Sequence, residues 1–392
     1  MIGFGMTMHD LIQRTIDAPR VLFACGGTGG HVYPAIAIAD ALRRLVPEIA
    51  IAFAGTRERM EWQAVPKAGY PIHGVTVIGF PRGLSPKLMA FPFKLMQGFR
   101  ESWRIVKGFD PDVVVGTGGY VTGPVLAAAQ MQRRPTVIQE QNAYAGAANK
   151  LLAPRAAQVF VAFEAARPYF PKADVTVSGN PVRAELAEAD RATALAHYEL
   201  PSDARVLLVM GGSLGAAALN AALEQRLAAL LDLDERVHVI WQTGKRYFAD
   251  LHARVPARPR LRLLQYLDRM DYAYAAADLA VCRAGAITCS ELALTGTPSI
   301  LVPSPNVTAD HQTKNAKALA DENAAVLLPE PQLQADLVAH VRTLLLDDTA
   351  RAAMADAVRS LARPDAADDI ARAVLALAGH TVNGSQTEEV TA

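Results

Sequence analysis

The residues best suited to chemistry lie in two glycine-rich segments. GGTGGH, residues 26–31, follows a short apolar run and precedes a helix-like pattern. Glycines at such a junction let the backbone bend sharply, and the N–H groups that begin the helix add a partial positive charge suited to phosphate. GGSLG, residues 211–215, has the same setting, and the Ser213 hydroxyl could join its amides around one phosphate of a nucleotide. We therefore expect the chain to hold phosphorylated compounds, with turns that serve only chain reversal as the alternative.

Several polar side chains follow these turns or neighbouring strands. His31, the first residue of a helix beside the glycines, is suited to act as a general base or a phosphate contact, although a lone histidine can equally be structural. Glu291 lies in a predicted helix that begins near Ala286, where a carboxylate can accept two hydrogen bonds from ribose hydroxyls or simply be solvated. Asn142 and Gln312 follow strand ends and are suited to orienting sugar hydroxyls or to capping helices.

Other common sites for phosphorylated ligands are not favoured. Residues 26–31 lack the G-x-G-x-x-G order, the second predicted strand ends in a Gly-Thr pair without an acidic residue, and the P-loop order is absent. Two D-x-D pairs, residues 110–112 and 232–234, precede predicted strands, at the edge of the sheet away from a ligand cleft. We expect solvated turns there and no metal, so helix N-termini, backbone amides and Arg183 would neutralise phosphate charge.

Length and composition limit the class of protein. The 392 residues predict two domains, because a single core of that size would exceed an ordinary domain. Lys plus Arg and Asp plus Glu both number 39, so the net charge does not indicate nucleic acid as a partner. Three cysteines without C-x-x-C spacing suit a reducing compartment such as the cytosol. Charged residues interrupt the first twenty positions and no apolar run approaches the roughly 18 residues of a membrane span, so any membrane role would be peripheral.

The order of apolar and polar segments predicts the fold. Apolar runs alternate with helix-period segments, which is typical of βαβ units in a parallel sheet. Three sequence blocks also recur in the same order: residues 21–31 with 206–216, 112–129 with 278–294, and 135–152 with 298–319. The recurrence predicts an α/β protein with two doubly wound parallel-sheet domains that face a cleft. Because ligands bind at the carboxyl ends of such strands, both sets of turns would line that cleft.

The domain boundaries follow from the same pattern. We expect an N-terminal extension over residues 1–18, a first domain over 19–182, a second over 183–363, a helix over 364–380 and a loose polar tail over 381–392. The helix would either close the second domain or cross back to the first.

Residues 79–107 depart from the α/β pattern. Large apolar side chains are interleaved there with Lys and Arg, and Glu101 is the only acidic residue. A membrane-surface element has this composition, since apolar groups enter the acyl boundary and cations meet anionic headgroups. An ordinary crossover helix with its apolar side in the core fits equally well. The residues predicted to contact a membrane are Leu84, Leu88, Phe91, Phe93, Lys94 and Trp103.

Together these motifs resemble those of the MurG family, the bacterial N-acetylglucosaminyltransferases that complete the lipid-linked disaccharide precursor of peptidoglycan. The resemblance extends from about residue 20 to about residue 378 and leaves the N-terminal extension unmatched. Its motifs are GGTGGH at 26–31, GTGGYVTGP at 116–124, QEQNAYAGAANK at 139–150, GNPVR at 179–183, GGSLGA at 211–216, CRAGAITCSE at 282–291 and DHQTKNA at 310–316.

The resemblance implies a GT-B fold of two Rossmann-like domains. The C-terminal domain would hold most of UDP-GlcNAc, and the N-terminal glycine turns would face an undecaprenyl-linked muramyl-pentapeptide; no cofactor is implied. By position, the residues implied in donor binding are Thr28, Gly29, Gly30, Asn142, Arg183, Ser213, Leu267, Ala286, Ile287, Thr288, Cys289, Ser290, Glu291 and Gln312. Those implied in acceptor binding are Gly26, Gly27, His31, Gly118, Gly119 and Tyr120.

The resemblance also implies an inverting, metal-independent transfer in which the C4 hydroxyl of the muramyl sugar attacks the anomeric carbon of GlcNAc as UDP leaves. His31 is the expected general base and Glu140 the alternative. Family members sit on the cytoplasmic face of the inner membrane, which implies an anionic membrane surface and cell-wall synthesis complexes as partners. Other functions stay open on the residues alone: a UDP-GlcNAc 2-epimerase, a transferase acting on another lipid such as diacylglycerol, and a non-catalytic lipid-binding protein.

Overall fold

The computed structural model describes residues 18–77, 87–212 and 214–380; within these ranges the side chains of residues 87–92, 184 and 308 are not described. Residues 1–17, the C-terminal tail, Leu84 and Ser213 lie outside the described residues. The described chain forms two parallel β-sheets, each between two hydrophobic core clusters. The predicted fold class, two doubly wound α/β domains, is confirmed.

Counted over the described residues, the first sheet has seven parallel strands in the order β3-β2-β1-β4-β5-β6-β7. The strands are β1 (Arg20–Cys25), β2 (Ala50–Gly55), β3 (Ile72–Gly74), β4 (Val113–Gly118), β5 (Thr136–Glu140), β6 (Gln158–Val161) and β7 (Val175–Val177). The helices between them are α1 (Gly29–Leu45), α2 (Glu61–Lys67), α3 (Lys87–Phe109), α4 (Thr122–Met131) and α5 (Ala147–Leu152). Because β1 and β4 pair at the centre, the turns after these two strands lie side by side.

The second sheet repeats this arrangement with six strands in the described part of the chain, in the order β10-β9-β8-β11-β12-β13. The strands are β8 (Arg205–Met210), β9 (Val237–Gln242), β10 (Leu261–Leu264), β11 (Leu279–Cys282), β12 (Ser299–Leu301) and β13 (Val326–Leu327). The helices are α6 (Arg191–His197), α7 (Ala217–Leu231), α8 (Phe248–Arg254), α9 (Met270–Ala276), α10 (Ala286–Thr295), α11 (His311–Ala320), α12 (Leu333–Leu346) and α13 (Asp348–Ser360). Here β8 and β11 are the central neighbours.

The central strands are buried on both faces. Val21, Phe23 and Cys25 of β1 pack in one core cluster, and the residues between them pack in the cluster on the other face. Phe23 also stacks on Phe53 of β2, with ring centroids 5.0 Å apart. Helices that cover both faces of a parallel sheet require such near-continuous apolar strands. Burial of these strands fixes where each chain segment leaves the sheet, and therefore where the polar turns begin.

The last helix, α14 (Ala366–Leu377), packs on the N-terminal domain. Ile370, Val374 and Leu375 share a core cluster with residues of β1 and α1. Asp368 at its start also pairs with Arg44 of α1. This helix follows the second domain in the chain but packs on the first, so it links the two domains.

The crossover helix α3 connects β3 and β4. Toward its C-terminal end, Val106 is buried, and Phe99 and Trp103 are half-buried against the same core cluster. Ser102 is buried and donates a hydrogen bond to the Gly98 carbonyl oxygen. This half of α3 is thus an ordinary core-packed crossover helix, and Trp103 belongs to it.

The preceding turn of α3 has a different environment. Phe93, Leu95 and Met96 are exposed, and the neighbouring Lys94 and Arg100 are exposed as well. The side chains of two further predicted membrane residues, Leu88 and Phe91, are among those not described. Within the described ranges, no helix is both long enough and apolar enough to cross a membrane.

Candidate active site between the two sheets

The glycine turns after β1 and β4 interlock. A Cβ built on Gly119 would lie 2.1 Å from the Gly26 carbonyl oxygen, and one built on Gly118 would lie 2.4 Å from Cδ2 of His31. Both glycines have positive φ, +83° and +109°. A larger residue at either position would be strained and would push the turns apart. The predicted acceptor residues of the two turns therefore form one packed unit.

His31 is held at the start of α1 by this unit. Thr28 is the N-cap of the helix, and its hydroxyl lies 3.3 Å from Nδ1 of His31. The Thr117 hydroxyl of β4 donates to the His31 carbonyl oxygen at 2.7 Å. Burial lowers the pKa of His31, an effect opposed by the charge of Glu140. Burial therefore favours the unprotonated imidazole, the form that can accept a proton.

Glu140, the alternative base, is saturated with hydrogen bonds. Its Oε1 accepts from the backbone and side-chain nitrogens of Asn142 at 3.1 and 3.3 Å. Its Oε2 accepts from the Gly146 N–H at 2.8 Å and from Nδ2 of Asn149 at 2.9 Å. Only 2% of the residue is exposed. Because both oxygens already accept hydrogen bonds from the following loop, the geometry favours Glu140 as the residue that shapes the loop after β5.

That loop contacts the second domain through Asn315 of α11. Oδ1 of Asn315 accepts from the Ala143 N–H at 2.8 Å, and its Nδ2 lies 3.3 Å from Oδ1 of Asn142. Nδ2 also donates to the Ala284 carbonyl oxygen that precedes α10. One buried amide thus joins the predicted sugar-binding residue Asn142 to two segments of the other domain.

A charged contact lies beside this amide. Nζ of Lys314 lies 3.4 Å from the ring centroid of Tyr144, and Nζ of Lys150 lies 4.7 Å from the same centroid. The ring of Tyr144 also meets Tyr169 edge to face at 4.8 Å. Cation–π contacts of this kind stabilise a partly buried junction. The loop after β5 is therefore anchored on both sides.

Asn180 makes the second buried connection. Its Oδ1 accepts from Nε2 of Gln139 at the end of β5. Its Nδ2 donates to the Ala286 carbonyl oxygen and lies 3.0 Å from Oγ of Ser290, both in α10. The first turn of α10, where the resemblance places donor contacts, is thereby fixed relative to the first sheet.

The glycine turn after β8 is built like its N-terminal counterpart. A Cβ on Gly215 would lie 2.1 Å from the Thr243 carbonyl oxygen, and one on Gly244 would lie 2.2 Å from the Gly215 nitrogen. Gly212 has a φ of +84° with open space around it. Two interlocked turns therefore stand at the carboxyl end of each sheet, as the internal repeat predicts.

Glu291 is paired with a residue that the sequence did not single out. The Tyr274 hydroxyl of α9 donates to Oε2 of Glu291 at 2.9 Å. Burial raises the pKa of Glu291, while the hydrogen bond from Tyr274 and the charge of Arg183 oppose the rise. Arg183 is exposed and lines a pocket of about 200 Å³ with Met270 and Asp271. Glu291 and Arg183 could therefore offer a polar ligand a carboxylate acceptor and a cation.

The remaining predicted donor residues differ in exposure. Gln312 is half-buried, and its Oε1 accepts from the Ser304 N–H at 2.8 Å. Leu267 and Cys289 are buried in the core of the second domain, so only their backbone could face a ligand. Thr28, Ile287, Thr288 and Ser290 are at least partly accessible.

Exposed aromatic residues line the rim of the cleft. Tyr120, predicted at the acceptor side, is 66% exposed. Tyr33 of α1 and Tyr266 after β10 are both about half exposed. Burial raises the pKa of Tyr266, and Tyr33 from the other domain adds to the rise. The two domains therefore approach each other at this rim.

Sequence reasoning missed Glu61 and Tyr274. Glu61 begins α2 and is fully buried beneath the first glycine turn, yet an acidic residue in the first turn of a helix usually signals only a solvated charge. In the sequence, Tyr274 cannot be distinguished from a tyrosine that only packs in the core. No motif could have found either residue. In the described part of the chain, no group of three or more His, Cys, Asp or Glu side chains could hold a metal ion.

Comparisons with known proteins agree with this architecture. The chain matches the glycosyltransferase family 28 N-terminal domain over residues 21–161 and the C-terminal domain of the same family over residues 206–370. A relative from Salinibacter ruber is 56% identical over 365 residues, 92% of this chain and 97% of the relative. It is named UDP-N-acetylglucosamine–N-acetylmuramyl-(pentapeptide) pyrophosphoryl-undecaprenol N-acetylglucosamine transferase.

Solved structures give the same result. The crystal structure of Acinetobacter baumannii MurG is 31% identical, with a TM-score of 0.73 over 92% of this chain and 99% of that one. A putative UDP-N-acetylglucosamine 2-epimerase from Listeria monocytogenes has a TM-score of 0.67 over 92% of this chain and 96% of that chain, but only 14% identity, which shows a shared fold alone. The predicted GT-B architecture is therefore confirmed, and the chain belongs to glycosyltransferase family 28.

Proposed function

We propose that the protein transfers GlcNAc from UDP-GlcNAc to the C4 hydroxyl of the muramyl sugar of undecaprenyl-pyrophosphoryl-MurNAc-pentapeptide, which converts lipid I to lipid II. Full-length relatives at 56% and 41% identity carry the corresponding name. The observation that carries the proposal is the pair of interlocked glycine turns at the carboxyl end of each sheet. His31 follows the turn of the first domain, and Glu291 and Gln312 lie in α10 and α11 of the second. The proposed reaction uses UDP-GlcNAc as a substrate and requires no cofactor.

In the proposed reaction the acceptor hydroxyl oxygen attacks the anomeric carbon of GlcNAc. The bond from that carbon to the UDP oxygen breaks, and the configuration at the carbon inverts. His31 accepts the hydroxyl proton, because burial favours its unprotonated form, whereas the oxygens of Glu140 are occupied by four donors. Arg183 and the amides that begin α7 stabilise the negative charge that develops on the departing diphosphate.

The donor and acceptor meet at the first glycine turn in this proposal. Glu291 accepts hydrogen bonds from the ribose hydroxyls, and Gln312 and Asn142 orient the GlcNAc hydroxyls. The contacts of Asn315 with Asn142 and Ala143 support this arrangement, because they hold the sugar-binding loop against the second domain. The pyrophosphate of the acceptor lies on the interlocked turns around Gly27 and Gly118.

A transfer assay tests the proposal. Radiolabelled UDP-GlcNAc is incubated with the protein, with and without a short-chain analogue of the muramyl-pentapeptide lipid. Label in a lipid-linked product only when the acceptor is present supports the proposal. UDP-ManNAc formed from the donor alone would instead identify an epimerase, and transfer to diacylglycerol but not to the muramyl lipid would identify the other lipid transferase. Absence of transfer to the muramyl lipid would overturn the proposal.

We place the protein peripherally on the cytoplasmic face of the inner membrane, with the exposed turn of α3 against anionic lipid. Phe93 and Met96 line a surface groove of about 360 Å³ together with Arg100 and Arg104. Apolar groups beside cations suit insertion at an anionic headgroup layer. Such a position would bring the N-terminal domain toward the lipid-linked acceptor and leave the second domain open to a donor in solution.

Sedimentation with vesicles tests this location. Replacement of Phe93, Leu95 and Met96 by Ser should abolish binding to phosphatidylglycerol vesicles, because each side chain is at least half exposed and would lose its burial in the acyl boundary. Leu151→Ser is the matched control, since Leu151 is as exposed as Phe93 but lies on α5. Equal binding of the triple variant and the control would contradict the assignment.

A further inference from the structure

Glu61 is a fully buried carboxylate beneath the first glycine turn. Its Oε2 accepts a hydrogen bond from the Gly27 N–H at 3.1 Å. Its Oε1 accepts from the Thr56 N–H at 3.0 Å and also from the Thr56 hydroxyl. The side chain therefore bridges the turn after β1 to the end of β2, so that each oxygen holds a different segment.

The surrounding backbone is shaped to admit this carboxylate. A Cβ built on Gly26 would lie 2.6 Å from Oε1 of Glu61, and one built on Gly55 would lie 2.7 Å from its Cγ. Real Cβ atoms do not approach other atoms this closely, so both positions require glycine while Glu61 occupies its site. The first glycine of the GGTGG segment is thus explained by contact with Glu61, without any ligand.

The charge of Glu61 opposes the function of the turn. Among the described residues, no Lys, Arg or His nitrogen forms an ion pair with this carboxylate. A buried carboxylate without an ion-pair partner disfavours a phosphate bound nearby. The three hydrogen bonds to Glu61 therefore favour a role in the geometry of the turn.

We propose that Glu61 is a positioning residue for the acceptor: it holds the Gly27 N–H inward so that the following amides, at the start of α1, face the acceptor's pyrophosphate. Gly27 has a φ of +95°, a conformation that lets the chain reverse between the inward amide and the helix. Thr28 then caps α1 in an extended conformation. This inference rests on the proposed function, because it assigns the pyrophosphate to this turn.

The test compares steady-state kinetics of two Glu61 variants with the wild type, using UDP-GlcNAc and the short-chain muramyl lipid analogue. Glu61→Gln keeps the shape, but its side-chain NH2 must face a backbone N–H of either Gly27 or Thr56, so the bridge between the two segments is broken. Glu61→Asp keeps the charge but is one methylene too short to span both segments. For both variants we expect the KM for the acceptor to rise by about tenfold or more, with a smaller rise in the KM for the donor, most of whose proposed contacts lie in the second domain.

The direction in which the KM for the acceptor changes distinguishes a geometric role of Glu61 from an effect of its charge. If charge dominated, Glu61→Gln would bind the pyrophosphate more tightly and lower the KM for the acceptor, and Glu61→Asp would resemble the wild type. Thr56→Val is the control, because it removes the hydroxyl donor to Glu61 and leaves both backbone N–H contacts, from Gly27 and Thr56, in place. We expect its acceptor KM to stay within about twofold of wild type.

Three results would overturn the inference: an unchanged or lowered acceptor KM in Glu61→Gln, a wild-type KM in Glu61→Asp, or an equal rise in both KM values. Circular dichroism and thermal melting establish which variants are folded, and either folded variant suffices to decide. Failure of the proposed function is a distinct outcome, because the wild-type protein would then transfer no GlcNAc to the muramyl lipid.

Discussion

Replacement of Tyr274 by Phe should move the pH dependence of donor binding. The Tyr274 hydroxyl donates to Oε2 of Glu291 at 2.9 Å, and this hydrogen bond favours the ionised carboxylate. Burial acts in the opposite direction and raises the pKa of Glu291 above its ordinary value of 4.5. In the proposed site the ionised form accepts hydrogen bonds from ribose. The KM for UDP-GlcNAc should therefore rise as the pH falls through the pKa of Glu291.

The magnitude follows from the one hydrogen bond removed. A hydrogen bond to a charged group contributes about 1.5 to 3 kcal/mol, because a buried carboxylate has no water to replace the lost donor. The lower figure corresponds to roughly a tenfold change in the protonation equilibrium of Glu291. Phe fits the space of the Tyr ring, so the core of the second domain should stay intact. The loss of donor affinity in Tyr274→Phe is thus expected to begin at higher pH than in the wild type.

The assay is the KM for UDP-GlcNAc measured across the acidic and neutral range at saturating acceptor. Tyr198→Phe is the matched control, because Tyr198 lies in the same core cluster and donates only a long hydrogen bond, 3.4 Å, to the Arg269 carbonyl oxygen. The control should keep the wild-type profile. A Tyr274→Phe profile that is unchanged, shifted to lower pH, or matched by the control would refute the reasoning.

Three further outcomes are expected. His31→Ala should lower kcat at saturating substrates by about 100-fold or more, the contribution of a general base; turnover near wild type would exclude that role. The acid limb of the pH profile of kcat/KM should lie below pH 6.5, because burial lowers the pKa of His31. Glu140→Gln should move this limb to still lower pH, because the charge of Glu140 favours the imidazolium form of His31. A shift of the limb to higher pH would contradict this reasoning. Lys314→Met should lower the free energy of unfolding in urea by about 0.5 to 2 kcal/mol, because the cation above the Tyr144 ring is lost. Lys317→Met breaks an exposed ion pair and should lower it by less. Equal losses of stability would show that the ring contact contributes nothing.

Local sequence was sufficient for the fold because the central strands are buried apolar runs and the turns after β1, β4 and β8 contain glycines. The paired blocks, such as residues 21–31 with 206–216, predicted two similar sheets, and both sheets have the same central pairing of strands. Segment 79–107 was ambiguous for a physical reason. Its composition suits both a core-packed crossover helix and a membrane-surface helix. In α3, the turn that contains Phe93 is exposed, and the part that contains Trp103 packs against the core.

Residue identity alone also selected His31, Glu291 and Asn142, since these follow strands or glycine turns whose position the apolar pattern fixes. The hydrogen-bond partners of Glu291 and Asn142 could not be predicted from the sequence. The hydroxyl of Tyr274 meets Glu291 from a different helix, and Asn315 reaches Asn142 from the other domain across 173 positions of the chain. Pairings of this kind depend on how helices pack on the sheet, which local periodicity does not specify.

The sequence by itself therefore determined which turns carry the chemistry, because glycine and strand patterns are local properties. Only the tertiary structure decided how the turns are held: Glu61 beneath Gly27, Gly119 against Gly26, and Asn180 between β5 and α10. Buried polar groups must find partners wherever the packed chain supplies them, and those partners are distant in sequence. The environment that lowers the pKa of His31 and raises that of Glu291 is for the same reason a property of the assembled core.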